Sequence, residues 1–387
     1  MKIFSIAFVQ TLIAQIASIL MFKFYSLDTV GAFQKIFYSA SLVYSLLLIG
    51  SEQSIMTKGV NKEIKTLRNV SIFYLNFFFT GLLVFSIIFY FIRGYSYVEY
   101  LVFIVSAVSL YLIKIHQTFV TLEKKLFLFY KRAILISIML IVLYALSFYL
   151  NFDDLISLGF IRAIVLVLMT YYIFCDVNFK IKYKLDINIK KHFKILKKDR
   201  FFIILFTLSN LFMFCDKILL ADLLDDSAYA NYIFNFSIAS FFFLPKMILS
   251  NQYINDVHKK NFTGFIIKNS FKVSVFLFLC FVLFYFPVIN FLKLESNFIL
   301  LIIIYFLSLI ELAFGPNGLV LQIKYNVKKL IFGEFLGLLF FLIFFYTFFS
   351  MIGWKIILIS FFFLKTFINF IRFVQLKYIN ETSNKYF

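Results

Sequence analysis

The chain of 387 residues is 63% hydrophobic and only 15% charged, with a mean hydropathy of +0.95. This lies far above the roughly half-apolar composition of soluble domains and excludes a soluble enzyme. The net charge of +19 does not point to nucleic acid, because the basic residues fall in short loops between apolar runs, where they orient a membrane protein.

Apolar runs of about 20 residues, enough to cross roughly 30 Å of hydrocarbon, predict spans near 3–23, 30–50, 69–92, 97–118, 132–150, 155–174, 201–221, 228–250, 265–290, 297–320, 331–350 and 354–375. The first follows Lys2 and lacks an A-x-A-like cleavage site, so it reads as a span rather than a signal peptide. One set of loops is strongly basic: Lys58 to Arg68, Lys124 to Arg132, Lys180 to Arg200, Lys259 and Lys260, and Lys324 to Lys329. The other set has few cations and holds the acidic turns Asp153-Asp154 and Asp222 to Asp226. By the positive-inside rule the basic side is cytoplasmic, and an even number of spans places both termini there. The fold class expected is therefore an all-α polytopic membrane protein of about twelve helices.

The longest loop divides the chain into an N-terminal six-helix lobe (1–174), a basic cytoplasmic linker (175–200) and a C-terminal six-helix lobe with a short tail (201–387). The front of the linker alternates apolar and basic residues, as a segment lying along anionic lipid would. A shift of 199 residues places Gly31-Ala32-Phe33 on Ala230-Asn231-Tyr232 and Ser51 to Ile55 on Ser250 to Ile254, so the halves are expected to be repeats of the same topology.

Five basic residues fall inside the spans: Lys35, Arg162, Lys217, Lys246 and Lys365. A cation at a helix centre costs about 2.5–3.5 kcal/mol on insertion scales, so each must reach an interface, pair or line water. Lys35 and Lys246 lie near span ends and can equally snorkel. Lys217 can neutralise Asp216 or serve a polar lumen. Arg162, about 12 Å along its helix, is too deep for easy escape, and Lys365 lies deep enough to pair with Glu311. At helical spacing Asn231, Asn235 and Lys246 share one face, as do Asn210 and Lys217 on the preceding span. Another stripe runs Gln34, Tyr38, Ser41, Ser45 and Glu52, and a third Lys365, Asn369 and Arg372.

Neither catalytic residues nor a cofactor is indicated. No Gly-rich Lys-Ser/Thr phosphate loop is present. His116, His192 and His258 are isolated in sequence and read as structural. Cys175, Cys215 and Cys280 sit in or beside apolar runs at no metal-ligand spacing, so no disulfide framework or metal site is expected.

The stretch from Leu196 to Ser240, with Asp216 and Lys217 near the end of the seventh span, resembles the polysaccharide-export branch of the multidrug/oligosaccharidyl-lipid/polysaccharide flippase superfamily. Asp28 to Leu42 is similar to the equivalent turn in the first half, and Gly315 to Gly337 to the tenth-to-eleventh connection. The resemblance implies two six-helix lobes around a central cavity, alternating between inward-open and outward-open states. The cargo it implies is an undecaprenyl-diphosphate-linked oligosaccharide, crossing a bacterial inner membrane toward O-antigen or capsule assembly, with membrane lipids and a polysaccharide polymerase as further partners. On this reading Lys217, Lys246, Arg162 and Lys35 attract the diphosphate, Asn210, Asn231 and Asn235 contact sugar, and Asp216 or Glu311 couples an ion. Two rivals stand beside it: an ion-coupled small-molecule exporter of the same superfamily, and a membrane polysaccharide polymerase or ligase.

Overall fold

The computed structural model describes residues 2–48, 64–122, 125–176, 189–246, 262–292, 296–314 and 327–383. Twelve helices run through them: α1 (Lys2–Phe24), α2 (Leu27–Leu48), α3 (Ile64–Arg93), α4 (Tyr97–Leu122), α5 (Leu126–Tyr149), α6 (Leu155–Asp176), α7 (Ile189–Leu223), α8 (Asp226–Phe242), α9 (Phe262–Leu292), α10 (Phe298–Phe314), α11 (Val327–Ile352) and α12 (Trp354–Ser383). Each coincides with one expected span. The largest departure is at α7, which starts twelve residues before its apolar run, so the basic residues from Lys190 to Arg200 continue a helix rather than form a loop. The Ser51 to Ile55 and Ser250 to Ile254 match, Glu52, Gly315 to Gly318, His258 and the front of the linker lie outside the described residues.

Short polar turns end the helices at defined points. The Ser96 hydroxyl accepts from the Glu99 N–H while the Glu99 carboxylate accepts from the Ser96 N–H, a capping box that starts α4. Asp154 accepts from the Ser157 N–H at the start of α6, and Asn297 from the Leu300 N–H at the start of α10. Asp153 accepts from the Ser26 N–H and so ties the α5–α6 turn to the α1–α2 turn. The acidic pair Asp153-Asp154 is thus consumed in holding turns together. Gly94 closes α3 at φ 60°, a left-handed value that glycine adopts without strain. Pro245 explains why α8 stops at Phe242: its ring would clash with the carbonyl four residues back, and a separate helical turn follows at 244–246.

The helix boundaries repeat. Phe24 and Leu223 close α1 and α7, Leu27 and Asp226 open α2 and α8, Arg93 and Leu292 close α3 and α9, and Leu155 and Trp354 open α6 and α12. The members of every pair are 199 residues apart. Other equivalent starts differ by a residue or two: Phe262 follows Ile64 by 198 residues, and Phe298 follows Tyr97, as Val327 follows Leu126, by 201. The register read from a few matched letters is therefore kept approximately across two sets of six helices.

Seven of the described helices, α3 to α7, α11 and α12, contain stretches long and apolar enough to cross a membrane; shorter apolar stretches occupy Val9–Phe24, Phe271–Leu283 and Phe298–Phe314. The two helices in neither group, α2 and α8, are equivalent in the repeat. Both are largely enclosed by protein: α2 buries Gln34, Ser39, Ser41 and Ser45 along with its apolar residues, and α8 buries Asn231 and Asn235. A helix screened from lipid needs no continuous apolar surface, which leaves the second helix of each set free to carry polar groups.

Packing divides the chain into two compact units, Met1–Ser227 and Ala228–Phe387. In the first, α1 packs on α5, α4 on α6 and α2, and α7 on α2. In the second, α12 packs on α10 and α11, and α9 on α10. The division falls one helix later than the one drawn at the linker, because α7 rests on α2. Within the first unit Gly31 lies so close to the backbone of Asp226 that any Cβ there would overlap it. Gly31→Ala is therefore expected to lower stability by about 1–3 kcal/mol, read as a reduced melting midpoint in detergent. Gly333→Ala, with nothing within 4 Å of the new methyl, serves as the tolerated control.

Candidate functional site

The intramembrane charges sort by whether a carboxylate neutralises them. Asp216 and Lys217 are both buried in α7, at 0% and 2% exposure. The Lys217 Nζ donates to both carboxylate oxygens at 2.9 Å and to the Met213 carbonyl at 3.0 Å. Adjacent helical residues do not normally face each other, yet here the two buried charges fold together. The Tyr38 ring of α2 lies 5.8 Å from the ammonium, and the Asn210 amide donates to the Ser45 carbonyl at 3.2 Å. Lys217 and Asn210, expected to offer a cation and an amide to cargo, are both engaged by the protein.

Lys35 is engaged as well, at the weakly basic end of the first unit. Its ammonium lies 2.8 Å from the Asp226 carboxylate and donates to the Leu224 carbonyl at 2.7 Å. Nearby, Arg93 of α3 pairs with Asp222. The acidic turn between α7 and α8 is thus held by two cations from the first set of helices.

In the second unit Lys246 pairs with Glu311 of α10. This departs from the expected Lys365–Glu311 pair. Lys365 stands instead over the rings of Phe243 and Phe362, 4.4 and 5.7 Å from their centroids. The Asn369 amide donates to the Glu311 carbonyl at 3.3 Å, and Arg372 pairs with Glu334 of α11. The face of α12 that carries these residues is packed into the unit rather than free to snorkel. Asn231 and Asn235 are buried in α8; the Asn235 amide donates to the Asn231 carbonyl, and its oxygen accepts from the Ser296 hydroxyl at 2.7 Å.

Arg162 differs from the other predicted residues. It projects from α6 onto α2, its guanidinium carbon 4.6 Å from the Phe37 centroid and 5.5 Å from that of Phe33. Among the described residues it forms no salt bridge, and its Nε is buried without a hydrogen-bond partner. Stacking on phenylalanine offsets part of the cost of a cation at this depth without neutralising it. A guanidinium presents a planar donor fork that matches an oxyanion such as phosphate.

Lys365 is its counterpart, and its role was not legible in the sequence, where depth suggested a carboxylate partner. The position equivalent to Arg162 in the repeat is 361, one helical turn before Lys365 and on the same face. In each unit the sixth helix of the set thus presents a cation against phenylalanine, with no salt bridge among the described residues. Among those residues no group of His, Cys, Asp and Glu could hold a metal ion.

No protein-family model and no curated protein matches the chain. Solved structures do. A lipid II flippase, MurJ, in an inward closed conformation matches with a TM-score of 0.61 at 16% identity, over 98% of this chain and 87% of that one. An inward-facing multidrug resistance MATE family transporter of the MOP superfamily matches with a TM-score of 0.58 at 14% identity, over 97% of this chain and 96% of that one. The chain has the all-α, polytopic, two-lobed membrane fold of these transporters.

Proposed function

We propose that the protein flips undecaprenyl-diphosphate-linked oligosaccharide repeat units by alternating access, from the cytoplasmic to the periplasmic leaflet of a bacterial inner membrane, for surface polysaccharide assembly. The observation that carries this reading is Arg162, an intramembrane guanidinium held by aromatic faces and by no carboxylate among the described residues. A permanent cation without a counter-charge inside a bilayer fits an anionic ligand better than a neutral or cationic one. The fold shared with a lipid II flippase supports a lipid-borne cargo.

In this scheme the functional lobes are residues 1–174 and 201–387, joined by the basic linker 175–200, with both termini in the cytoplasm. Arg162 is the principal diphosphate contact and Lys365 its counterpart. Lys35, Lys217 and Lys246 contribute in states where their carboxylates are exchanged for cargo. Asp216 and Glu311 would couple a cation only by releasing their lysines. An inside-negative potential favours outward movement of an anion by about 2.3 kcal/mol per charge per 100 mV, which can drive the cycle without ATP. A polysaccharide polymerase would consume the delivered unit.

The likeness to a multidrug resistance transporter favours a second reading, export of a small molecule. A deletion strain separates the two. The flippase reading expects loss of surface polysaccharide with single lipid-linked units confined to the inner leaflet. Units already exposed outside would overturn it in favour of a polymerase or ligase. Intact polysaccharide with changed drug susceptibility would favour the exporter.

A further inference from the structure

Three helices of the first unit meet at the end that carries the basic loops, each bringing one ionisable side chain. His116 of α4 is fully buried, with Nε2 3.3 Å from Oδ2 of Asp176, the last residue of α6. Arg132 of α5 reaches the other carboxylate oxygen, also at 3.3 Å, and lies 4.6 Å from the Tyr172 ring centroid. The cluster is loosely closed. Both ring nitrogens of His116, Nε of Arg132 and Oδ2 of Asp176 are buried and have no hydrogen-bond partner within the protein. Folded proteins satisfy nearly all such atoms, so four in one place set this cluster apart.

We propose that His116 and Asp176 form a proton-binding site in which a proton on His116 competes with the Arg132 guanidinium for the Asp176 carboxylate. A neutral imidazole carries one N–H and leaves its other nitrogen an acceptor; protonated, both nitrogens donate, and Nε2–H faces Oδ2 in a charge-assisted bond. With Arg132 in place, Asp176 is already neutralised, and a second cation in the buried cluster is opposed. Arg132 is the member able to withdraw, since 29% of its side chain is exposed while Asp176 and His116 are enclosed. The charged groups acting on His116 are Asp176 from α6 and Arg132 from α5, while Lys114 on its own helix bonds Gln117. Phe129 of α5 covers the ring at 5.6 Å.

Protonation therefore exchanges an α5–α6 tie for an α4–α6 tie. The end of α6 that changes partner leads into the basic linker, and the same helix carries Arg162. The proton enters from the aqueous phase at the exposed edge held by Arg132 and returns there on release. The site does not depend on the identity of the cargo.

Cys175, exposed and next to Asp176, is a natural reporter. The full chain, carrying Cys215→Ser and Cys280→Ser, is labelled on Cys175 with an environment-sensitive maleimide dye and titrated in nanodiscs across about pH 5 to 8, the range of histidine. The expected result is one single-proton transition in dye emission. Arg132→Gln removes the competitor and should raise the midpoint by about one pH unit, a tenfold gain in proton affinity, whereas His116→Gln should abolish the transition. A flat trace in the parent, an unchanged trace in His116→Gln, or an unmoved midpoint in Arg132→Gln each overturns the proposal in favour of a purely structural clasp. If His116→Gln does not fold, the Arg132→Gln midpoint decides.

Discussion

Arg162→Ala is expected to reduce translocation of the lipid-linked oligosaccharide about ten- to a hundredfold while leaving the amount of folded protein in the membrane unchanged. The first half follows from the strength of charge-assisted hydrogen bonds, about 1.5–3 kcal/mol each, where 1.4 kcal/mol is a factor of ten in an equilibrium constant. The second half follows from the absence of a carboxylate partner among the described residues: truncation strands no buried anion, and it removes a cation that is itself costly in the bilayer. Arg162→Lys keeps the charge but loses the planar fork, so intermediate transport is expected. The check is accessibility of the lipid-linked unit in the outer leaflet, normalised to protein level. Wild-type transport by Arg162→Ala would remove Arg162 from the cargo path.

This ordering of residues differs from the one the sequence suggests, and the difference has a physical cause. Span lengths and the approximate 199-residue repeat are local properties of the chain, and both are recovered in the helices. The extension of α7 back to Ile189 was hidden because lysines in a helix and lysines in a loop look alike. The partners of charges are not local. Lys246 meets Glu311 65 residues away, and Arg132 meets Asp176 44 residues away. Depth along a helix, the measure the sequence offers, sets Arg162 deep in its span and Lys217 near the end of its own. It does not say that one folds onto the preceding residue while the other lies on two phenylalanines.

That distinction predicts opposite behaviour at Asp216–Lys217. Asp216→Asn takes from the Lys217 ammonium, 2% exposed, the carboxylate that it bonds at 2.9 Å, and breaking one side of a buried pair costs about 3–5 kcal/mol. A membrane domain of ordinary stability does not absorb that loss easily, so folded protein should fall sharply, with a lowered melting midpoint in detergent; Lys217→Met should behave similarly by stranding Asp216. The double replacement, Asp216→Asn with Lys217→Met, removes both charges at once and should recover most of the folded protein, because two groups of similar volume then fill the site without an unpaired ion. Transport by the recovered double variant would assign the pair to structure. Full folding of the double variant with transport abolished would instead return Lys217 to the cargo path and Asp216 to ion coupling. Stable, fully folded Asp216→Asn would show that the two side chains do not depend on each other, contrary to the three hydrogen bonds that the Lys217 ammonium makes within α7.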